Sequence, residues 1–326
     1  MAYLTELNED DIKNIVFKYQ LADCVNITPI YEGVQNSNYI ITTKNKKYIL
    51  TIFEDKYVAS NLNNFLQLML FLNKSGFSCP APIQDNKRNI INLASNKPYS
   101  LFTFLNGTSL SKYRLSHFNL LGIGIAKLHV TTYNYSKNIR QRFNNNFYIN
   151  AFKDNRSLIL KYNSNIENIF NNVLHDYRNL NKISLSKGII HGDLFPDNVL
   201  FNKGKISGFI DFYFSNYDFL ISDIAIVIIS WGFHSTNYKL NLNMAMVNTL
   251  LKSYNSIRKI SYNELLALNI LCKIYCIRFF LTRLIDKKDK KDSSKVLTKD
   301  PMEYIDKLIY FDKQHINFEQ VITHAE

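Results

Sequence analysis

The chain has 326 residues with 39 Lys and Arg against 27 Asp and Glu, a formal charge of +12; 46 % of its residues are apolar and 20 % charged. That balance excludes a disordered polyelectrolyte, and the length suffices for one large domain or two lobes around a substantial core. The basic residues are spread along the chain without a nucleic-acid-binding motif or a dominant basic block, so neither nucleic acid nor a membrane is expected as a partner, and the charge would favour an anionic substrate.

Residues 1–11 have neither a basic region nor an apolar centre, which reads as no export signal and places the protein in the cytoplasm. Residues 8–19 predict a helix capped by Asn8, with Ile12, Ile15, Val16 and Tyr19 on one face. Strands follow at 28–31, 38–43 and 47–53, joined by turns rich in Gly, Asn and Lys. Over 58–73, Val58, Leu62, Phe65, Leu66, Met69 and Leu70 recur at helical spacing. Pro80 and Pro82 interrupt the chain before further strands at 89–94 and 98–105. The remainder is mainly helical, with helices expected at about 116–130, 146–180, 218–234, 239–255, 261–286 and 300–316. An α+β fold of two lobes results: a small antiparallel-sheet lobe over 1–105, a larger helical lobe over 106–326, and a crossing near 102–107, where Asn106-Gly107 forms the turn. No apolar run reaches the ~18–20 residues that span a bilayer, since the strongest candidate, 219–233, is too short and contains Asp223. The four cysteines lack zinc-type spacing, and Cys272 and Cys276, one helical turn apart, read as core thiols. Residues 286–299 alternate Lys with Asp and read as a solvated loop.

One segment carries chemistry. His191-Gly192-Asp193-Leu194-Phe195-Pro196-Asp197-Asn198 is followed, after two short apolar runs around Asn202-Lys203-Gly204, by Ile210-Asp211-Phe212. A hairpin at that turn would bring Asn198 and Asp211 back to the same end, so that both could face one cation. Transfer of a γ-phosphoryl group needs positioning and charge neutralisation more than covalent help. Asp193 is the candidate to orient an acceptor hydroxyl and take its proton, and Asn198 and Asp211 are the candidate Mg²⁺ ligands, since Mg²⁺ binds one or two carboxylates plus phosphate oxygens.

This spacing resembles the catalytic loop and metal site of protein-kinase-like phosphotransferases. More of the chain is similar to the aminoglycoside-phosphotransferase/choline-kinase superfamily and, within it, to the bacterial homoserine kinases of that fold. The segments that carry the likeness are Glu32-Gly33-Val34-Gln35-Asn36-Ser37-Asn38, Tyr48-Ile49-Leu50-Thr51 with Glu54, Gly76-x-x-Cys79-Pro80-x-Pro82, Leu194 to Val199, Ser207 to Phe214, Arg278-Phe279-x-Leu281-Thr282-Arg283-Leu284, and Lys299-Asp300-Pro301-x-Glu303-Tyr304. The resemblance implies a kinase-like bilobal fold, ATP and Mg²⁺ as cofactors, and phosphorylation of L-homoserine to O-phospho-L-homoserine, a step toward threonine. It implies that Gly33, Val34, Asn36, Ser37, Asn38 and Thr51 hold the nucleotide.

The chain departs from the general kinase pattern at two linked positions. Thr51 stands where a third-strand lysine would bind phosphates, and the helix at 58–73 has no glutamate to pair with one. Lys47 lies four residues from Thr51, roughly 13 Å along a strand, too far to substitute. Homoserine kinases of this fold also tend to carry Leu-Thr here, which favours an active enzyme over a retired one. For an amino-acid acceptor, Arg142, Arg278 and Arg283 are candidate carboxylate receptors because a guanidinium binds carboxylate as a two-donor fork. Tyr213 and Trp231 are candidates to line the acceptor pocket beside Asp193. Asp223 matches a recurring superfamily aspartate read as support for the catalytic loop, and His129 reads as helix packing. Gly122-x-Gly124 follows no strand and is no dinucleotide loop. The alternatives are a kinase of choline, an aminoglycoside or a sugar on the same scaffold, and a catalytically inactive relative.

Overall fold

The computed structural model describes residues 5–21, 23–31, 36–136, 139–236, 239–289 and 299–319. Helix α1 (Glu9–Lys18) starts where the Asn8 side chain accepts a hydrogen bond from the Asp11 amide and the Asp11 carboxylate accepts one from the Asn8 amide, with Glu9, Asp10 and Asp11 at the positive end of the helix dipole. Three antiparallel strands follow, β1 (Cys24–Ile30), β2 (Ser37–Thr43) and β3 (Lys47–Ile52). After α2 (Lys56–Lys74) come β4 (Pro82–Ile83), β5 (Asn92–Ala94) and β6 (Lys97–Thr103), giving a sheet in the order β1-β2-β3-β6-β4 with β5 also on β6. Pro82 is tolerated because β4 is an edge strand, where a missing N–H is harmless. One face of the sheet (Ile41, Leu50, Ile52, Leu101) packs under Ile15 and Tyr19 of α1. Helix α2, capped by Asp55, buries Val58, Leu62, Phe65, Leu66, Met69 and Leu72 in the second, larger core.

The helical lobe contains α3 (Leu115–Thr131), α4 (Asn145–Tyr162), α5 (Ile166–Asn179), β7 (Lys187–Ile190), the hairpin β8 (Val199–Asn202) and β9 (Lys205–Phe209), β10 (Asn216–Phe219), α6 (Ile221–Trp231), the ribbon β11 (Phe233–Thr236) and β12 (Lys239–Leu242), α7 (Met244–Asn255), α8 (Tyr262–Asp289) and α9 (Met302–Lys313). Three expectations are corrected. The single helix at 146–180 is two, because Asn163 leaves helical geometry and its side chain accepts from the Asn165 amide, a local bond that competes with the helix. The helix at 218–234 starts only at Ile221, since Asn216 to Phe219 pair with β7 instead. Residues 239–242 pair with 233–236 as strands, and α7 waits for its cap, Asn243, whose side chain accepts from the Met246 amide.

The expectation that no apolar stretch is long enough to span a bilayer is corrected as well. Residues Tyr262–Lys288 of α8 pass by length and composition, but 78 % of the window that qualifies is buried inside the protein. There α4, α5, α6 and α9 pack against the helix, so it reads as the core helix of this lobe. All four cysteines are free, with Cys79, Cys272 and Cys276 buried.

Strand β10 carries a buried acid whose ionisation is measurable. The Asp218 carboxyl is pushed up to about 6 by burial, against hydrogen bonds from the Phe219 amide, Gln141 and Tyr275. An unfolded aspartate titrates near ~3.9, so the ionised group destabilises the fold above about pH 6 and has no such effect below about pH 4. Asp218→Asn keeps an acceptor oxygen without the charge. It is expected to gain about 1–3 kcal/mol at pH 7.5 and nothing at pH 4. Urea unfolding at both pH values checks this, and an equal change at both would refute the ionisation account.

Candidate active site

The loop between β7 and β8 is held from below. Asp223, in the first turn of α6 and fully buried, accepts from the His191 amide through Oδ2 (2.8 Å) and from the Gly192 amide through Oδ1 (2.9 Å). Its Oδ2 also faces His129 Nε2 at 3.0 Å, while His129 Nδ1 lies 2.7 Å from the Tyr254 hydroxyl. Burial would raise the Asp223 carboxyl, but the hydrogen bond and charge of His129, together with the loop amides, hold it below the usual carboxylate range. His191 is buried, and burial pushes it down to about 4, so it is neutral at pH 7. Its Nδ1 accepts from the Asp193 amide (3.3 Å), which leaves Nε2–H to donate to Ile210 O (2.9 Å). Gly192 adopts φ +78°, and a Cβ there would lie 2.6 Å from Phe214 O, so only glycine fits.

Above this base the three motif residues converge. Asn198 Nδ2 donates to Asp193 O (2.8 Å) and to Asp193 Oδ2 (3.1 Å). The hairpin turns at Lys203 and Gly204, both in left-handed geometry, and returns so that the Ile210 amide donates to Asn198 O (3.0 Å). Asp211 follows with φ 64° and ψ 60°, a conformation that a short polar residue tolerates. Asp193, Asn198 and Asp211 all line one cleft of about 1050 Å³ between the sheet and the helical lobe.

The electrostatics of this cluster suit a cation. Asp211 Oδ1 is buried and has no hydrogen-bond partner among the described residues. Burial, then Asp193 and Asp197, push its carboxyl up to about 7; burial also lifts Asp193 to about 6, against the pull of Arg278. A positive ion beside Asp211 would reverse that. With the amide nitrogen of Asn198 spent on Asp193, its Oδ1 is the atom left for coordination. Among the described residues no group of three or more His, Cys, Asp or Glu forms a metal cage. A carboxylate oxygen of Asp211 and the Asn198 Oδ1 are hard donors that fit Mg²⁺, which keeps waters and phosphate oxygens for most of its shell.

The other sequence candidates separate. Asn36, Asn38 and Thr51 line the cleft, and Thr51 Oγ1 donates to Asn38 Oδ1 (2.8 Å). Gly33 and Val34 lie outside the described residues. Ser37 is corrected: alternation along β2 turns it away from the cleft, and its hydroxyl donates to Glu54 Oε1 (2.6 Å). Lys47 lies over the Phe104 ring and does not line this cleft. Tyr213 lines it, edge-on to Phe53 and Phe65. Trp231 is corrected too. It is 1 % exposed among Tyr113, Phe118 and Phe201, and its indole Nε1 donates to Leu194 O (2.9 Å), so it braces the catalytic loop from the core. Arg142, Arg278 and Arg283 all reach the cleft. Sequence reasoning missed the aromatic wall of Phe143, Phe195, Phe214 and Phe279, whose members come from four distant segments with no local signal. It also missed the pairing of Lys299 with Asp197 (2.9 Å).

A sequence profile of the phosphotransferase enzyme family matches residues 26–241, which include β2 to β10 and the whole catalytic loop. This chain belongs to that phosphotransferase family. The phosphotransferase is 33 % identical to the homoserine kinase of Rhizobium etli (strain CFN 42) over 94 % of its own length and 95 % of the relative's. It is also 33 % identical to the homoserine kinase of Brucella anthropi, over 94 % of each chain. Two solved structures share its fold at low identity. The amicoumacin kinase hAmiN, in complex with AMP-PNP, Ca²⁺ and Ami, superposes with a TM-score of 0.72 at 16 % identity over 96 % of this chain and 97 % of that one. Choline kinase LicA from Streptococcus pneumoniae gives 0.62 at 18 % identity over 94 % and 97 %. The fold is thus the bilobal kinase-like one, with a small antiparallel sheet and a larger helical lobe.

Proposed function

We propose that this phosphotransferase is an ATP-dependent, Mg²⁺-requiring homoserine kinase that makes O-phospho-L-homoserine on the way to threonine. It would work in the cytoplasm as a small-molecule enzyme with neither nucleic acid nor a membrane as partner. The observation that carries the reading is the 33 % identity to homoserine kinases over nearly the full length of both chains. The cleft supports it. Asp193, Asn198 and Asp211 meet where a phosphoryl group would pass, and Arg278, buried beside Asp193, offers the acceptor side a guanidinium that suits a carboxylate-bearing acceptor. Choline and an aminoglycoside carry no carboxylate to meet that guanidinium.

In this reading the lobes are 1–105 and 106–326, and the nucleotide lies across the turn at 102–107. Asn36, Asn38 and Thr51 hydrogen-bond its phosphates, while Ser37 acts indirectly through Glu54. Asp193 orients the acceptor hydroxyl and receives its proton as the new O–P bond forms and the bridging O–P bond breaks, the electron pair leaving with ADP. Asn198 and Asp211 hold Mg²⁺, which when bound neutralises phosphate charge.

That neutralisation matters more here than in kinases with a strand lysine. The described sheet-lobe residues lining the cleft include Glu54 and Asp55 and no Lys or Arg. ATP binding is therefore expected to weaken on the order of tenfold or more when chelator removes Mg²⁺. The deciding experiment measures ADP release from ATP, with and without Mg²⁺, against L-homoserine, choline, an aminoglycoside and no acceptor. Strong Mg²⁺-dependent stimulation by L-homoserine alone supports the reading. Stimulation by another acceptor, or by none while ATP still binds, overturns it.

A further inference from the structure

Three arginines reach the acceptor side of the cleft, and their surroundings assign them different work. Arg142 donates through Nη2 to Asp55 Oδ2 (2.9 Å) and lies over the Tyr57 ring, so it ties the loop before α4 to the cap of α2. Arg283 donates through Nη1 to Asp300 O (2.8 Å) and Glu303 Oε2 (2.7 Å), anchoring the start of α9. Both are committed to holding segments together.

Arg278 is placed differently. It is 3 % exposed, with its guanidinium carbon 4.4 Å from the Phe143 ring centroid and 4.8 Å from that of Phe279. Nη1 donates to Gly192 O (2.6 Å), but Nε, although buried, has no partner among the described residues. Nη2 lies 3.7 Å from Asp193 Oδ1, an ion pair outside hydrogen-bond range. A guanidinium offers five N–H donors, and leaving them unspent in a desolvated place is costly. The aromatic faces compensate the charge, not the donors. A planar anion arriving in the cleft would satisfy both.

We infer that Arg278 is the receptor for the acceptor's carboxylate and thereby the residue that selects a small hydroxy amino acid. This rests on the homoserine reading and deepens it. In extended homoserine the carboxylate carbon lies roughly 5 Å from the hydroxyl oxygen. A carboxylate on Arg278 therefore leaves the hydroxyl within reach of Asp193, the neighbouring group. The same contact rejects acceptors without the anion, because they leave buried N–H donors of the guanidinium unspent. Phe143, Phe195, Phe214 and Phe279 close the space around it to larger acceptors.

The test compares two acceptors that differ only in the carboxylate, L-homoserine and 3-aminopropan-1-ol, in the wild type, Arg278→Gln and Arg278→Lys. The wild type should prefer homoserine strongly in kcat/KM. In Arg278→Gln that preference should fall by about 10²-fold, mainly through a raised KM, with part of it kept in Arg278→Lys. Arg142→Gln and Arg283→Gln should leave the preference as it is. Equal losses on both acceptors in the Arg278 variants would overturn the assignment and leave Arg278 a brace for Gly192. A second reading needs no variant. L-2-aminobutyrate, which keeps the carboxylate but lacks the hydroxyl, should compete with homoserine in the wild type, whereas propan-1-amine should not; equal inhibition by both also overturns the proposal. Failure of the parent reading shows separately, as a wild type that does not phosphorylate homoserine at all.

Discussion

Asp193→Ala is expected to lower kcat by about 10²–10⁴-fold with nucleotide affinity changed only a few-fold. The carboxylate is fixed from two sides, by Asn198 Nδ2 at 3.1 Å on Oδ2 and by the Arg278 guanidinium 3.7 Å from Oδ1. It lines the cleft on the helical-lobe side, whereas Asn36, Asn38 and Thr51 line it from the sheet. Its removal should therefore act on the hydroxyl rather than on ATP. Asp193→Asn makes the sharper control, because it preserves shape while removing the basic oxygen; it should be nearly as slow as the alanine variant. Single-turnover assays with nucleotide titration separate the two effects. Undiminished turnover in either variant would remove Asp193 from the chemistry.

The second large effect is on stability. Asp223→Ala is expected to destabilise the protein by about 3–5 kcal/mol, because it strands two loop amides and His129 in a space that water does not reach. Asp223→Asn should cost less than alanine, since it retains one acceptor oxygen, and more than nothing, since its amide hydrogens oppose the donors. The sign of the pH dependence follows from the depressed carboxyl. Its contribution is present above the unfolded aspartate value near ~4 and is lost as pH falls through its lower folded value. Denaturant unfolding at pH 7 and under acid conditions checks both parts, and a loss below about 1 kcal/mol at pH 7 would contradict the account. Activity should fall with stability, since Gly192 and Asp193 lose the support beneath them.

How much of this was readable in advance depended on whether the determinant was local. Asp193, Asn198 and Asp211 sit within twenty residues, with a turn between them that only Gly204 and a tolerant neighbour could make, so their meeting point was legible. The cap Asn8 announced α1 for the same reason. The errors came from partners far away in sequence. Trp231 looked like a pocket aromatic, but nothing near it in the chain reveals that Tyr113, Phe118 and Leu194 enclose it. Ser37 sits in a run of small polar residues, and only the register of β2 decides that it reaches the cleft through Glu54 and does not line it. The three arginines were indistinguishable as letters. What separates them is the company of Asp55, 87 residues before Arg142, of Gly192, 86 before Arg278, and of Glu303, 20 after Arg283, which no local pattern encodes.

The hairpin that carries the candidate metal ligands belongs to the helical lobe by sequence, yet it is sewn to the crossing between the lobes and, through Ser78, to the sheet side. Phe201 and Thr108 exchange both backbone hydrogen bonds, Ser207 Oγ donates to Asn106 O, and the Phe209 amide donates to Ser78 O. Gly107 allows this closeness, since a Cβ there would lie 2.9 Å from Phe201 O. The back of the cleft is thereby a fixed fulcrum. On the proposed seating of the nucleotide beside Asn106-Gly107, these bonds hold that seat and the pair Asn198 and Asp211 at one separation, like the jaws of a gauge. Any opening that admits substrate or releases product has to happen at the mouth, leaving that spacing untouched.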